Sequence, residues 1–325
     1  MSGARRIAVG IDLGGTMIKS LAVDDTGRIV ARASRPTEVH AGQDQVVRNL
    51  AAAVQELTRQ LAQPGASTGD KMAKSVGVGV PGVLNVEKGL VIASPNFPRW
   101  EGFPLRKRLE AAIGRPVLIE NDANAAAVGE QWQGAAVGLK DFLFITIGTG
   151  VGGGVMLDGR LWRGPGGRAG EFGHVKVEPE GELCGCGSRG CLERYANAAA
   201  LQRYMLEALS TGGVSALRAL ALDRPEAIDP AMIAQAAQAG DEAARAAYHR
   251  FAVYLGMGIA SVINLLDLRY FILGGGVSEA FDLFAPWLRD EVAARVYGVA
   301  IEEIHILKAR CGNEAGSLGM AHLSL

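Results

Sequence analysis

An internal repeat restricts the fold of this chain more than any other feature. Residues 7–11 read as a short apolar strand, Asp12-Leu13-Gly14-Gly15-Thr16 as a turn, and residues 17–23 as a second strand. Asp24-Asp25-Thr26-Gly27 then turns the chain into a third strand at 28–33. Far downstream the pattern returns: strand 142–147, turn Gly148-Thr149-Gly150, strand 151–157, turn Asp158-Gly159, strand 160–162. Two copies of such a unit predict two related α/β domains facing each other across a cleft.

Between the copies, Val46, Val47, Leu50, Val54, Leu57 and Leu61 recur at helical spacing and predict an amphipathic helix over 43–63. A loop at 64–70 precedes a buried strand at 75–80, which Pro81-Gly82 stops. Residues 95–104 form an aromatic, proline-bearing loop, 105–113 a short helix, 117–120 a strand, and Asp122 opens another helix. From Arg194 to about Leu266 the chain is alanine-rich and helical. A strand at 270–273 runs into Gly274-Gly275-Gly276, further helices follow, and a last helix at 315–323 returns to the first domain. The expected division is a smaller α/β domain, 1–120 plus 313–325, and a larger one, 121–312, carrying the cysteine loop and the helical segment.

A net charge of −1 with 21% charged residues leaves no basic field for nucleic acid and no acidic tail. The most apolar run, 251–268, is interrupted by Gly256, Gly258, Ser261, Asn264 and Asp267, so it reads as a buried helix and no membrane span is expected. The first residues enter a strand pattern without an apolar signal core, which together with thiol ligands points to the cytoplasm.

Three glycine-rich turns let backbone N–H groups approach phosphate oxygens: DLGGT at 12–16, GTGVGGG at 148–154 and LGGGVS at 273–278. None is a Walker loop, and each alone fits a plain hairpin turn equally well. Two of them stand at equivalent places in the repeat, which favours a bound nucleotide. Gly14, Gly15, Gly148, Gly150, Gly274 and Gly275 would supply backbone donors, and Thr16 and Thr149 hydroxyls. Asp12 would orient Mg²⁺.

Asn121-Asp122-Ala123-Asn124 lies where a strand ends and a helix begins. Asp122 suits a helix N-cap. It also suits a general base, kept ionised by the helix N-terminus and placed to take the proton of a hydroxyl attacking phosphorus. The strand-end position favours the second role. Asn96 reads equally well as a turn-former and as a ligand contact.

Residues 170–193 hold three of the four cysteines, a histidine and five carboxylates. His174, Cys184, Cys186 and Cys191 make a three-thiolate, one-imidazole set of the kind structural zinc takes, with no open position for water. A metal there would also immobilise Glu171 and Glu193, acceptors suited to a polyhydroxylated ligand such as a sugar. His174 has a second ring nitrogen to offer that ligand. Cys311 stands alone and reads as an inert core thiol.

DLGGT, ENDANAAAVGE, GTGVGGG, EFGH and C-x-C-G-x-x-G-C-x-E together resemble the repressor/open-reading-frame/kinase (ROK) family, from Ile7 to the final helix. The stretch ASPNFPRWEGFPL, 93–105, is similar to the sugar loop of the family's bacterial glucokinases. The resemblance implies an actin-like, ribonuclease H-type fold, ATP and Mg²⁺ as cosubstrates, and transfer of phosphate to the C6 hydroxyl of a hexose, glucose foremost. It implies Asp122 as the catalytic base, and sugar contacts by Asn96, Asn121, Asp122, Glu171, His174 and Glu193. His174, Cys184, Cys186 and Cys191 fall on the family's zinc ligands, and the family's members are commonly dimers or tetramers, which implies a homodimer or homotetramer here. The chain departs from the pattern at Arg99, where a small residue is expected before Trp100.

The alternatives are a kinase for N-acetylmannosamine, fructose or allose, a sugar-sensing repressor, and a sugar-binding protein without catalysis. A repressor needs a DNA-reading domain, and the six residues before the first strand leave no room for one. Asp122 and the three glycine turns argue against a purely binding role.

Overall fold

The computed structural model describes residues 5–62 and 71–325, so the loop expected at 64–70 lies outside the described residues. The repeat is borne out in three dimensions. β1 (Arg6–Leu13), β2 (Met17–Asp24) and β3 (Ile29–Pro36) form an antiparallel meander, with β4 (Lys71–Val80) parallel to β1. A short hairpin, β5 (Val83–Asn85) and β6 (Leu90–Ala93), precedes β7 (Val117–Asn121), which pairs parallel to β4. The second sheet repeats this order. β8 (Phe142–Ile147), β9 (Val151–Leu157) and β10 (Arg160–Leu161) make the meander, followed by β11 (Tyr270–Gly274) and β12 (His305–Lys308) in parallel. β12 falls in a stretch read from sequence as helical. Four residues are too few to show a period, and only the partner β11 makes them a strand.

Contacts divide the chain into two units, Met1–Lys140 with Gly154–Ala169 and Arg310–Leu325, and Asp141–Gly153 with Gly170–Ala309. In the first unit one face of the sheet carries Ile7, Val9, Ile11 and Leu13 against α1 (Gln43–Leu61) and α2 (Leu105–Ile113). The opposite face meets α9 (Ala315–Ser324), with α3 (Asp122–Gln133) packed against α9. That second face is cut down to glycine. A Cβ at Gly10 would lie 1.9 Å from the Ser317 carbonyl oxygen, and one at Gly77 2.3 Å from that of Met320. Between the helices, a Cβ at Gly319 would lie 1.8 Å from the Ala125 oxygen. Strand and helix backbones therefore touch directly, which only glycine permits.

In the second unit α4 (Ala198–Ser210), α5 (Arg218–Asp223), α6 (Pro230–Gln238), α7 (Glu242–Leu266) and α8 (Phe281–Ala293) form the helical segment. Among the described residues α7 is the one helix long and apolar enough to cross a membrane. Its apolar side, including Phe251, Leu255, Ile259 and Ile263, is buried, and it packs against α4 and α8.

Candidate functional site

The first unit presents one set of predicted residues. Asp12 is not in the turn, as expected from sequence, but within β1, because its backbone still pairs with Lys19 on β2 and Gly79 on β4. The turn shrinks to Gly14-Gly15-Thr16, closed by Gly14 N–H donating to the Met17 carbonyl at 3.0 Å. Burial, then the charge of Asp122, pushes the Asp12 carboxyl up to about 6 against the opposing pull of Lys19. A cation would relieve this crowding of carboxylates, and oxygen donors suit a hard ion such as Mg²⁺.

Asp122 is not the helix cap. Asn121 takes that place, its Oδ1 accepting from Ala123 N–H at 2.9 Å and Asn124 N–H at 3.1 Å. Asp122 is the first residue inside α3, where its own Oδ1 shares the Ala123 N–H at 2.9 Å. An Asn-Asp pair at a strand end leaves the capping register open by one residue, so sequence could not separate the two. The turn rests on Glu120, a buried carboxylate that accepts from Arg163 Nε at 2.6 Å, Asn124 Nδ2 at 3.0 Å and Asn121 N–H at 2.9 Å.

Asn96 is exposed beside Gly15, where a Cβ would come within 3.4 Å of it. Its loop is anchored by Phe97, Trp100 and Phe103, all buried, with Phe97 stacked on Trp100 at 4.5 Å between centroids and Trp100 tilted against Phe103 at 4.7 Å. Arg99 adopts φ 69, the left-handed region that glycine occupies without the penalty a Cβ brings, so of the small residues expected there glycine would fit this backbone best. Its carbonyl accepts from the Gln43 side chain.

The second unit brings the four metal-binding candidates together. One ligand atom from each of His174, Cys184, Cys186 and Cys191 lies within 4.8 Å of all the others. Cys184 Sγ is 3.8 Å from His174 Nδ1, and the sulfurs of Cys186 and Cys191 are 3.6 Å apart. Zinc–sulfur bonds of about 2.3 Å in a tetrahedron put sulfurs about 3.8 Å apart, so the spacing fits zinc and not a disulfide. Burial pushes the Cys184 thiol up to about 11, which favours its protonated form, and a cation beside the sulfur would oppose this. Lys176 Nζ donates to Cys191 Sγ at 2.9 Å, where it would offset the excess negative charge of three thiolates around a dication. Nothing in the sequence pattern marked Lys176 or Arg163, because both partnerships join residues that only the fold brings together.

His174 turns its other nitrogen, Nε2, toward Glu171 Oε2 at 3.8 Å. Glu193 is half committed: its Oε2 accepts from Val151 N–H at 3.1 Å, and its Oε1 lies 3.8 Å from Cys184 Sγ. A Cβ on Gly150 would meet Glu193 Oε2 at 2.5 Å, so the Gly148-Thr149-Gly150 turn lies directly on this carboxylate. Gly274 ends β11, and Gly275, at φ 84, lies so close to Ile147 that a Cβ would be 2.4 Å from its carbonyl oxygen. Two of the three glycine turns, at 148–150 and 274–275, thus adjoin within this unit. Cys311 belongs to the first unit, its thiol pushed up to about 12 by burial and the charge of Glu130.

The profile of the ROK family matches residues 8–325. A glucokinase of Thermotoga maritima is 36% identical over 315 residues, 97% of this chain and 96% of that one. A ROK family glucokinase from Streptomyces griseus, solved in complex with glucose and AMPPNP, is 36% identical with a TM-score of 0.81, covering 98% of each chain. A xylose repressor of Caldicellulosiruptor bescii is 30% identical over 96% of this chain and 76% of its own length. The two meanders with their parallel strands are therefore those of the two-domain actin-like, ribonuclease H-type α/β fold. Matched over nearly its whole length, the chain belongs to the ROK family.

Proposed function

We propose that this protein is an ATP-dependent hexose kinase that transfers phosphate to the C6 hydroxyl of glucose. The observation that carries the reading is the end-to-end likeness to glucokinases, one of them seen with glucose and an ATP analogue. On the first unit, Asp122 is the proposed base that takes the hydroxyl proton, with Asn121 and Asn96 as sugar contacts. Asp12 would hold Mg²⁺, which when bound draws charge from the transferring phosphate. Gly15 and Thr16 would donate to phosphate oxygens, and Gly14, whose N–H is committed to the Met17 carbonyl, would shape the turn that presents them. On the second unit, Glu171, His174 and Glu193 are the proposed sugar contacts. Gly148, Thr149, Gly150, Gly274 and Gly275 are assigned to the nucleotide. Zinc on His174, Cys184, Cys186 and Cys191 would keep Glu171 and Glu193 in place without touching the reaction.

Glu171 and Glu193 only accept hydrogen bonds, so they suit adjacent ring hydroxyls, whose O–H donors rotate to meet them, better than an acetamido group, which offers one fixed N–H and adds a carbonyl acceptor and bulk. Acceptors that a bound ligand covers but leaves unpaired penalise the wrong ligand. ADP release measured across glucose, N-acetylmannosamine, fructose and allose tests the reading, with kcat/KM expected to be highest for glucose. Equal kcat/KM for glucose and N-acetylmannosamine would remove the argument from the glutamates. No turnover with any of the four, alongside measurable sugar binding, would favour a sugar sensor, the reading to which the likeness to a xylose repressor lends weight.

A further inference from the structure

The segment that leaves the metal loop after Cys191 clasps the Gly148-Thr149-Gly150 turn at two points and the first residue of β9 at a third. Glu193 accepts from Val151 N–H at 3.1 Å. Asn197 Nδ2 donates to the Thr149 carbonyl at 2.9 Å, and Ala198 N–H donates to the Gly148 carbonyl at 2.9 Å. Asn197 is 5% exposed and works at both ends, since its Oδ1 also caps α4 by accepting from Ala200 N–H at 2.8 Å. A glycine turn has little stiffness of its own. Within this turn Gly148 N–H donates to the Gly150 carbonyl at 2.9 Å, while the Gly148 and Thr149 carbonyls are held from outside it, and those holds help to fix where the remaining N–H groups point.

We propose that Asn197 is a positioning residue for the nucleotide-phosphate turn, so that the metal loop governs nucleotide binding as well as sugar binding. This rests on the reading of Gly148-Thr149-Gly150 as a phosphate turn. Asn197 touches neither phosphate nor sugar in this scheme. It fixes the Thr149 carbonyl, and with it the direction of the neighbouring amide donors. Capping α4 and holding the turn are separable, because they use different atoms of one side chain.

Two variants test this. Asn197→Ser keeps a good helix cap but loses the amide donor to Thr149. Ala198→Pro removes the N–H that holds Gly148, at the first helical position where proline is well tolerated and after a residue already extended at φ −119, ψ 179. Calorimetry on the full chain would give the Kd of AMPPNP and of glucose, elemental analysis the zinc content, and thermal unfolding the Tm. Loss of one such hydrogen bond should raise the AMPPNP Kd about three- to tenfold in each variant. Glucose Kd and zinc content should hold and Tm should fall by only a few degrees, a pattern that a merely structural residue would not produce. AMPPNP affinity unchanged in both variants overturns the positioning role while leaving the kinase reading intact. Wild-type protein that binds glucose but no AMPPNP overturns the assignment of the turn itself, and both proposals with it.

Discussion

Replacing Asp122 by asparagine separates catalysis from architecture at this site. The cap of α3 is Asn121, whose Oδ1 takes two backbone N–H groups, so Asp122→Asn leaves it in place. Two electrostatic effects of opposite sign can be weighed from the structure. An anion in the first turn of a helix is worth about 0.3–1 kcal/mol, and the variant loses this. It also removes the charge that helps push Asp12 up to about 6, which relieves a repulsion in the folded state. The two roughly cancel, so unfolding free energy should move by less than about 1 kcal/mol. Turnover should not be spared. An amide cannot take the hydroxyl proton, and general-base catalysis is worth about 10²- to 10⁴-fold, or about 2.7–5.4 kcal/mol of barrier. Because the amide oxygen still accepts a hydrogen bond, glucose Kd should rise by less than about tenfold. The measurements are kcat by coupled ADP release, Kd by calorimetry, and stability by urea unfolding. Asn121→Ala is the control, losing about 1 kcal/mol of stability through the cap itself. The reasoning fails if Asp122→Asn loses more than about 2 kcal/mol of stability while its folded fraction keeps a normal kcat, since the carboxylate would then be structural.

Three further outcomes follow from the same geometry. About one zinc per chain is expected, and Cys186→Ser should lower zinc content and glucose affinity together; fully active protein without metal by elemental analysis would contradict this. Gly319→Ala drives a methyl to 1.8 Å from the Ala125 carbonyl oxygen, while a methyl at Gly166 meets nothing within 4 Å. The first should lose at least about 3 kcal/mol and the second less than about 0.5 kcal/mol, read by urea unfolding, and equal losses would show that α9 does not bear directly on α3. Asp24 is buried, which alone would raise its carboxyl, but the Thr26 hydroxyl, the Arg28 and Thr26 N–H groups and Arg5 hold it below the usual range. A depressed folded value means stability present above the unfolded pKa of about 3.9 and lost as pH falls through the lower folded one. The stability gap between wild type and Asp24→Asn should therefore narrow below about pH 4, and a gap unchanged down to about pH 3 would place its source elsewhere.

Much of this was legible in the residues alone. The repeated meander is a local pattern of alternating strands and turns, and it predicts the two sheets because neither turn chemistry nor strand period depends on distant partners. The set His174, Cys184, Cys186 and Cys191 was legible for a similar reason: its spacing and glycines restrict what so short a loop can do. The helix α2 was read at its observed bounds, since its apolar period and the flanking Pro104 and Gly114 are all local.

Tertiary structure decided the rest. Whether Asn121 or Asp122 caps α3 depends on where β7 releases the chain, and β7 runs one residue further because it pairs with β4 through Val80 and Asn121. Asp12 became a strand residue because ladders on both sides hold it, and one of those ladders comes from β4, nearly seventy residues away. The roles of Gly10, Gly77 and Gly319 are set by the approach of α9, which no neighbour in sequence announces. Asn197 is the intermediate case: as a cap before an alanine-rich helix it is readable, but its grip on Thr149 is not. Local rules govern which backbone shapes a segment can take. The hydrogen bonds a side chain makes beyond its own segment are chosen by whatever the fold places beside it.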